Sequence, residues 1–183
     1  MNKILYNKIS ISTAHRASRE ENTDYIIRNP ELFQDLFIVA TTLTDKNHHK
    51  ACWIMELVLE NQLDLLFPKK DIFCQMLGQY NSESAIRSIS KIALFLIQHH
   101  TQKQNQSSAL LSDQNIESIT EACFDWLIND TKVASKAYAM QALYLLGKNT
   151  PWIYPDLKQI LSQGFPDHSP AYQSVARKIL KKI

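Results

Sequence analysis

The segment NSESAIRSISKIALFLIQ, residues 81–98, decides the fold of this chain. Its apolar residues recur three or four positions apart, which places them along one wide stripe of an α-helix rather than on one side of a strand. Asn81 at its start is a residue type that accepts hydrogen bonds from the first backbone N–H groups of a helix. We therefore predict an amphipathic helix with its apolar stripe at Ala85, Ile86, Ile89, Ile92, Ala93, Leu96 and Ile97.

The same helical pattern recurs along the chain. Aligning the copies places Lys50, Arg87, Lys136 and Gln173 at one equivalent position, at intervals of 37, 49 and 37 residues. The middle interval is longer by 12 residues, which is the length of the polar stretch 101–112. A helical repeat of this period is typical of α-solenoids, in which each helix pair buries its apolar face against its neighbours. We therefore predict an all-α protein, a right-handed α-α superhelix of about five antiparallel helix pairs.

Each predicted pair consists of an outer helix, here called A, and an inner helix, called B. The B helices contain the repeated position and are predicted to begin at the N-cap residues Asp45, Asn81, Asp130 and Ser169. Gly147 is predicted to end the helix from Asp130 as a left-handed cap. The A helices are predicted over residues 30–42, 70–79, 113–128 and 155–163, and an opening pair over residues 3–10 and 14–29.

The composition agrees with long helices in one domain. The 183 residues include 3 glycines and 6 prolines, and the prolines lie where helices are predicted to begin or end. We predict a single helical-repeat domain over 1–183 with a polar loop insert at 101–112, where the sequence is rich in Gln and Ser and has no helical period. Cys52, Cys74 and Cys123 stand among apolar neighbours, so we expect buried thiols rather than disulfides.

Charge and hydropathy limit the classes of partner. The net charge is +2, and the sequence pI of about 8.4 is below the pI of more than about 9 that is typical of a dedicated nucleic-acid-binding domain. No stretch approaches the roughly 20 apolar residues that span a membrane, and residues 1–10 lack a secretory signal, so we expect a cytoplasmic protein without membrane partners. The basic amphipathic end Arg177–Ile183 either complements the dipole of the last helix or contacts an acidic partner.

The order of residues within the B helices resembles HEAT-like repeats. An acid or amide is followed by a basic residue and then by a small one, as in Arg87 with Ser90. The segments ITEACFDWL (119–127) and KAYAM (136–140) are also similar to a group of small bacterial HEAT-like proteins of unknown role, some labelled adenylosuccinate lyase. The lyase signature loop Ser-Ser-x-Met-Pro-x-Lys-x-Asn has no counterpart here, so the resemblance implies a HEAT/ARM-like fold and not the lyase activity.

Four cations on the predicted B helices form what we call the basic ladder: Lys50, Arg87, Lys136 and Arg177. In a solenoid stacked in register they would lie along one surface, where they could bind a phosphate backbone weakly. In HEAT-like repeats, however, the residue at this position usually pairs with an acid of an adjacent repeat. The acids available for that role are Asp45, Asp130 and Asp167.

His48, Cys52 and Glu56 follow one another at intervals of four residues, and all three side-chain types bind zinc. They span two helical turns, however, whereas the ligands of one ion must converge. His99 and His100 end a predicted B helix, where imidazole suits the negative end of the helix dipole. We therefore predict no metal site and no cofactor.

Catalytic motifs are missing from the sequence, since no GxSxG, GxxxxGK[ST] or GxGxxG occurs. This favours a protein that is not an enzyme, without settling the question. Trp53, Trp126 and Trp152 lie in apolar runs and are expected to pack within or between repeats. Asp125 beside Trp126 most closely matches the catalytic acid that HEAT-like alkylpurine DNA glycosylases place among aromatic residues.

The leading hypothesis is a non-catalytic scaffold that binds a protein or peptide on the concave surface formed by its B helices. The alternative is a weak nucleic-acid-binding or alkylpurine-glycosylase-like protein that uses the basic ladder.

Overall fold

The computed structural model describes residues 1–103, 110–163 and 165–183. In these residues all regular secondary structure is helical, with ten α-helices, four short 3₁₀ helices and no strand. The predicted all-α class is therefore confirmed. The α-helices are α1 (Lys3–Ile11), α2 (Arg16–Ile27), α3 (Phe33–Thr41), α4 (His48–Asn61), α5 (Lys70–Met76), α6 (Glu83–Lys103), α7 (Asp113–Ile128), α8 (Val133–Leu146), α9 (Ile153–Ser162) and α10 (Pro170–Leu180).

The helix starts test the predicted N-caps. Ser169 caps α10, because its side chain accepts a hydrogen bond from the Tyr172 N–H at 3.4 Å. The predicted caps Asp45 and Asp130 are wrong: α4 is preceded by Asn47 and α8 by Lys132. Helix α6 likewise begins at Glu83, two residues after Asn81. The residue before the helix lies two positions after the predicted cap for α4 and α8 and one position after it for α6. The helical pattern does not distinguish turn residues from caps.

The chain divides into two compact units, Met1–Ile92 and Ala93–Ile183, with the boundary inside α6. In the first unit, α1, α2 and α3 all pack against α4. Because α4 has neighbours on several sides, its apolar residues extend beyond a single stripe. Its buried apolar side chains are Ala51, Cys52, Ile54, Met55, Leu57, Val58 and Leu59.

In the second unit, α8 has the central position and packs against α7, α9 and α10. Helices α7 and α8 form an A–B pair, and α8 and α10 are successive B helices. The small residues Ala139 and Ala176 are fully buried, which agrees with the close approach that the sequence pattern predicts for B helices.

Gly147 ends α8, but it is not the predicted left-handed cap. Its backbone is right-handed, with φ of −60° and ψ of −17°. A Cβ atom at this position would lie 2.2 Å from the Tyr154 ring. That ring stacks on Tyr144, and its hydroxyl donates to the Tyr144 carbonyl at 3.2 Å. Glycine is therefore required here by close packing rather than by backbone conformation.

The predicted polar loop at 101–112 begins later than expected and ends where it was predicted to end. Helix α6 continues to Lys103, so the first three residues of that stretch are helical. Ser112 caps α7 by accepting a hydrogen bond from the Asn115 N–H at 3.2 Å. Residues 104–109 lie outside the described residues, and the single-domain prediction with this insert stays a prediction.

Among the helices that the structure describes, none is both long and apolar enough to cross a membrane.

Candidate binding surface

The two ladder residues of the first unit both donate to protein oxygens. The Lys50 ammonium donates to the carbonyl of Ser10, in the last turn of α1. Arg87 on α6 donates from Nη1 to the Glu56 carboxylate on α4 at 3.2 Å. Carbonyls in the last turn of a helix lack partners within the helix, so Lys50 satisfies an acceptor and complements the dipole of α1.

Glu56 is the centre of a buried ion cluster. Its side chain is only 1% exposed, and it accepts hydrogen bonds from Arg87 and from the Ser88 hydroxyl, the latter at 2.6 Å. The Lys91 ammonium lies 3.1 Å from the same carboxylate and 3.2 Å from that of Glu60. Burial opposes the charge of Lys91, but the carboxylates of Glu56 and Glu60 outweigh burial and raise its pKa. A buried carboxylate with two cations and a hydroxyl is well compensated, so this cluster stabilises the packing of α6 on α4.

The acids expected to pair with the ladder do not do so. Asp45 instead accepts from the Tyr6 hydroxyl at 3.3 Å and from the Asn47 N–H at 2.7 Å. Asp130 and Asp167 make no ion pair with a ladder residue in the part of the chain that the structure describes. The acid that pairs with Arg87 is Glu56, and only the packing of α4 against α6 brings these residues together.

In the second unit the ladder residues have different environments. Lys136 donates to the Leu127 carbonyl at 3.1 Å, in the last turn of α7, as Lys50 does for α1. Arg177 is exposed, with its guanidinium carbon 5.8 Å from the centre of the Phe165 ring. Gln173 donates to the His168 carbonyl at 2.8 Å.

A groove crosses the B helices of the second unit, with a cavity volume of about 320 Å³. We call it the B-helix groove. Two lysines approach the Tyr144 ring in this groove. The Lys182 ammonium lies 5.3 Å from the ring centre and the Lys148 ammonium 5.5 Å from it. A second cavity of about 410 Å³ adjoins it through shared walls at Gln98 and Leu145 and includes Lys148. The residues that line the groove itself are Gln98, Gln141, Tyr144, Leu145, Val175, Lys178, Ile179 and Lys182.

Charge is segregated between the A and B helices of this unit. Helices α8 and α10, and the part of α6 from Ala93, contain no Asp or Glu. The acids of the unit lie on α7, on α9 and in the connections, whereas basic residues flank the groove. These acids are Asp113, Glu117, Glu121, Asp125, Asp130, Asp156 and Asp167. None of the residues that line the B-helix groove is acidic and two of them are lysines, so its lining carries net positive charge.

The side chains considered as zinc ligands are directed to separate partners. His48 Nδ1 lies 2.9 Å from the Asp45 carbonyl, and Cys52 donates to the Ala40 carbonyl at 3.7 Å. Glu56 belongs to the ion cluster. In the described ranges no group of three or more His, Cys, Asp or Glu side chains is arranged to hold a metal ion.

The three cysteines are free and buried, as predicted. Burial raises the pKa of the Cys52 and Cys123 thiols far above the ordinary range and that of Cys74 to about 12. Since the thiolate is the reactive form, these cysteines are inert packing residues rather than nucleophiles.

The tryptophans divide between core and surface. Trp126 is 4% exposed, and Trp53 donates to the Ser84 carbonyl at 3.2 Å, so both pack as expected. The expectation is wrong for Trp152, which is 58% exposed and stacks on Phe124 at a ring distance of 6.3 Å. Because Trp126 is buried, it does not form the open aromatic site that a glycosylase needs beside Asp125.

The sequence alone does not single out the groove as a site. In the sequence, Lys178 and Lys182 are only part of a basic C-terminal end, and no pattern connects them with Tyr144 or Gln141. The signal was present in the lack of acids on α8 and α10, which the repeat alignment does not measure.

Comparison with known proteins gives one family. A family model described as a HEAT repeat domain matches residues 2–183, which is nearly the whole chain. No curated protein and no solved structure gives a significant match.

Proposed function

Because the chain belongs to the HEAT repeat domain family, we propose that it is a non-catalytic scaffold that binds a protein segment on its B-helix surface. HEAT repeats stack helix pairs so that successive inner helices form an extended surface suited to binding. The observation that supports the proposal most directly is the B-helix groove, which is open, combines apolar and amide side chains, and carries positive charge.

The alternative, a weak nucleic-acid-binding or alkylpurine-glycosylase-like protein that uses the basic ladder, has less support. Lys50, Arg87 and Lys136 all donate to oxygens of the protein itself. Only Arg177 of the ladder is exposed. The affinity for a phosphate backbone depends on the number of phosphates that cations neutralise. A ladder whose cations mostly donate to oxygens of the protein would therefore bind a nucleic acid weakly.

Selection from a random peptide display library tests the proposal. The variant Gln141→Trp fills the B-helix groove, whereas Gln159→Trp makes the same change on the exposed face of α9. We expect enriched peptides to bind the wild type and Gln159→Trp alike and to lose most of their affinity for Gln141→Trp. Failure to enrich any peptide, or equal binding by both variants, would contradict the proposal.

A further inference from the structure

We propose that the B-helix groove takes an acidic peptide segment, whose carboxylates pair with Lys148, Lys178 and Lys182. This inference rests on the proposed function, since it names the partner chemistry of the same surface. It goes further because the proposed function names a protein segment without its charge.

The three lysines are available for a partner. All three are exposed, and in the described part of the chain none of them forms an ion pair. Lys148 and Lys182 each approach the Tyr144 ring, which lines the groove, so both charges lie close to one wall of it. A partner carboxylate at this wall would be attracted by both ammonium groups.

The first unit provides an internal comparison. There the B-helix cations Arg87 and Lys91 are paired with Glu56 and Glu60. In the second unit the corresponding B-helix segments contain no acid at all. The charge that this protein neutralises internally in one unit is thus left for an external carboxylate in the other.

The remaining walls of the groove fit a peptide better than a nucleic acid. Gln98 and Gln141 line the groove with amide groups, which can both donate to and accept from a peptide backbone. Gln141 Nε2 donates to the Ala137 carbonyl at 2.9 Å, which leaves its second N–H and its oxygen for a peptide. Leu145 and Ile179 supply apolar surface for side chains, whereas a phosphate backbone would leave that surface without contacts. The cations are lysines, which act as compact point charges, and no arginine lines the groove for bidentate phosphate binding.

Fluorescence anisotropy with labelled probes of defined charge provides the test. The probes are three peptides of equal length and leucine content, with Glu and Asp, Ser and Thr, or Lys and Arg at the other positions, together with a single-stranded oligothymidylate. We expect the acidic peptide to bind at least about tenfold more tightly than the neutral one, with the difference shrinking as salt is added.

Charge-reversal variants show where on the protein the acidic peptide binds. Lys178→Glu and Lys182→Glu should each lower the affinity for the acidic peptide by about three- to tenfold. Lys46→Glu, the same change at an exposed lysine of the first unit, should leave that affinity unchanged. Helicity of each variant is checked by circular dichroism, and Lys178→Gln and Lys182→Gln replace any reversal that does not fold.

Each other outcome overturns the inference. If the neutral or basic peptide binds best and Gln141→Trp abolishes that binding, the groove binds peptides but not acidic ones, and the proposed function survives. If no peptide binds, both fail. If oligothymidylate binds more tightly than the acidic peptide and depends on Lys178 and Lys182, the groove serves a nucleic acid instead.

Discussion

At the level of single side chains, this protein contains two kinds of cation. Arg87 and Lys91 hold a buried carboxylate and are structural, whereas Lys178 and Lys182 are exposed and lack an acid among the described residues. The sequence alone does not distinguish these two kinds of cation, since all four residues belong to predicted B helices. What distinguishes them is whether the packed neighbour contributes an acid, as α4 does with Glu56.

Replacing Glu56 by Gln should destabilise the protein by about 2–4 kcal/mol, because Arg87 and Lys91 would keep their charges beside a neutral, buried amide. The matched control is Glu60→Gln on the same helix. Glu60 is 47% exposed, so its pairing with Lys91 is screened and its loss should cost less than about 1 kcal/mol. Urea unfolding of both variants measures the difference, and equal costs would show that the buried cluster is not stabilising.

His100 should make stability depend on pH. Its side chain is buried, its Nδ1 accepts from the Leu111 N–H at 3.3 Å, and burial lowers its pKa below the ordinary value of 6.5. The unfolded chain therefore takes up this proton first as pH falls. The stabilisation from neutral His100 is fully present above pH 6.5 and is lost as pH falls through the lowered pKa.

The free energy of unfolding, measured by urea between neutral and mildly acidic pH, checks this expectation. His100→Asn should flatten the decline, because Asn keeps a neutral acceptor, whereas His15→Asn at an exposed position should not change it. An unchanged pH slope in His100→Asn would rule out this role.

At the level of the helices, the repeat pattern predicts elements better than their ends. Helix α7 was predicted at both ends, because Ser112 and the apolar period mark it clearly. The start of α8 was not predicted correctly. Asp130 is a residue type that commonly caps helices, and only the structure shows that Lys132 holds the N-cap position. The pattern also could not show why Gly147 is glycine, because the reason lies in a ring seven residues away.

Gly147→Ala tests that packing reason. The added methyl group would displace the Tyr154 ring from its stack on Tyr144 and break its hydrogen bond, so we expect a loss of about 1–3 kcal/mol. Gly78→Ala is the control, because nothing lies within 4 Å of its added Cβ, and it should be neutral or stabilising by up to about 1 kcal/mol.

Combining Gly147→Ala with Tyr154→Ala should cost less than the sum of the two single changes, since the clash partner is gone. Thermal or urea unfolding supplies all the values. Strict additivity would mean that the glycine is needed for a reason other than this contact.

For the whole molecule, the sequence predicts the family-level fold because repeat period and apolar stripes are distributed along the chain. The HEAT repeat assignment over residues 2–183 agrees with that prediction. The B-helix groove was not predicted, since a groove is a property of three helices together and none of the four ladder residues lines it. Gln98, Gln141 and Lys178 are far apart in sequence, and packing alone makes them neighbours.

Hydrogen–deuterium exchange with and without a saturating peptide from the library selection tests the central claim, that the B-helix surface binds a protein segment. We predict slower exchange in residues 141–148 and 175–182, which surround the groove, and unchanged exchange in α7 and α9. Protection confined to α7 and α9, or no protection at a saturating concentration, would contradict it.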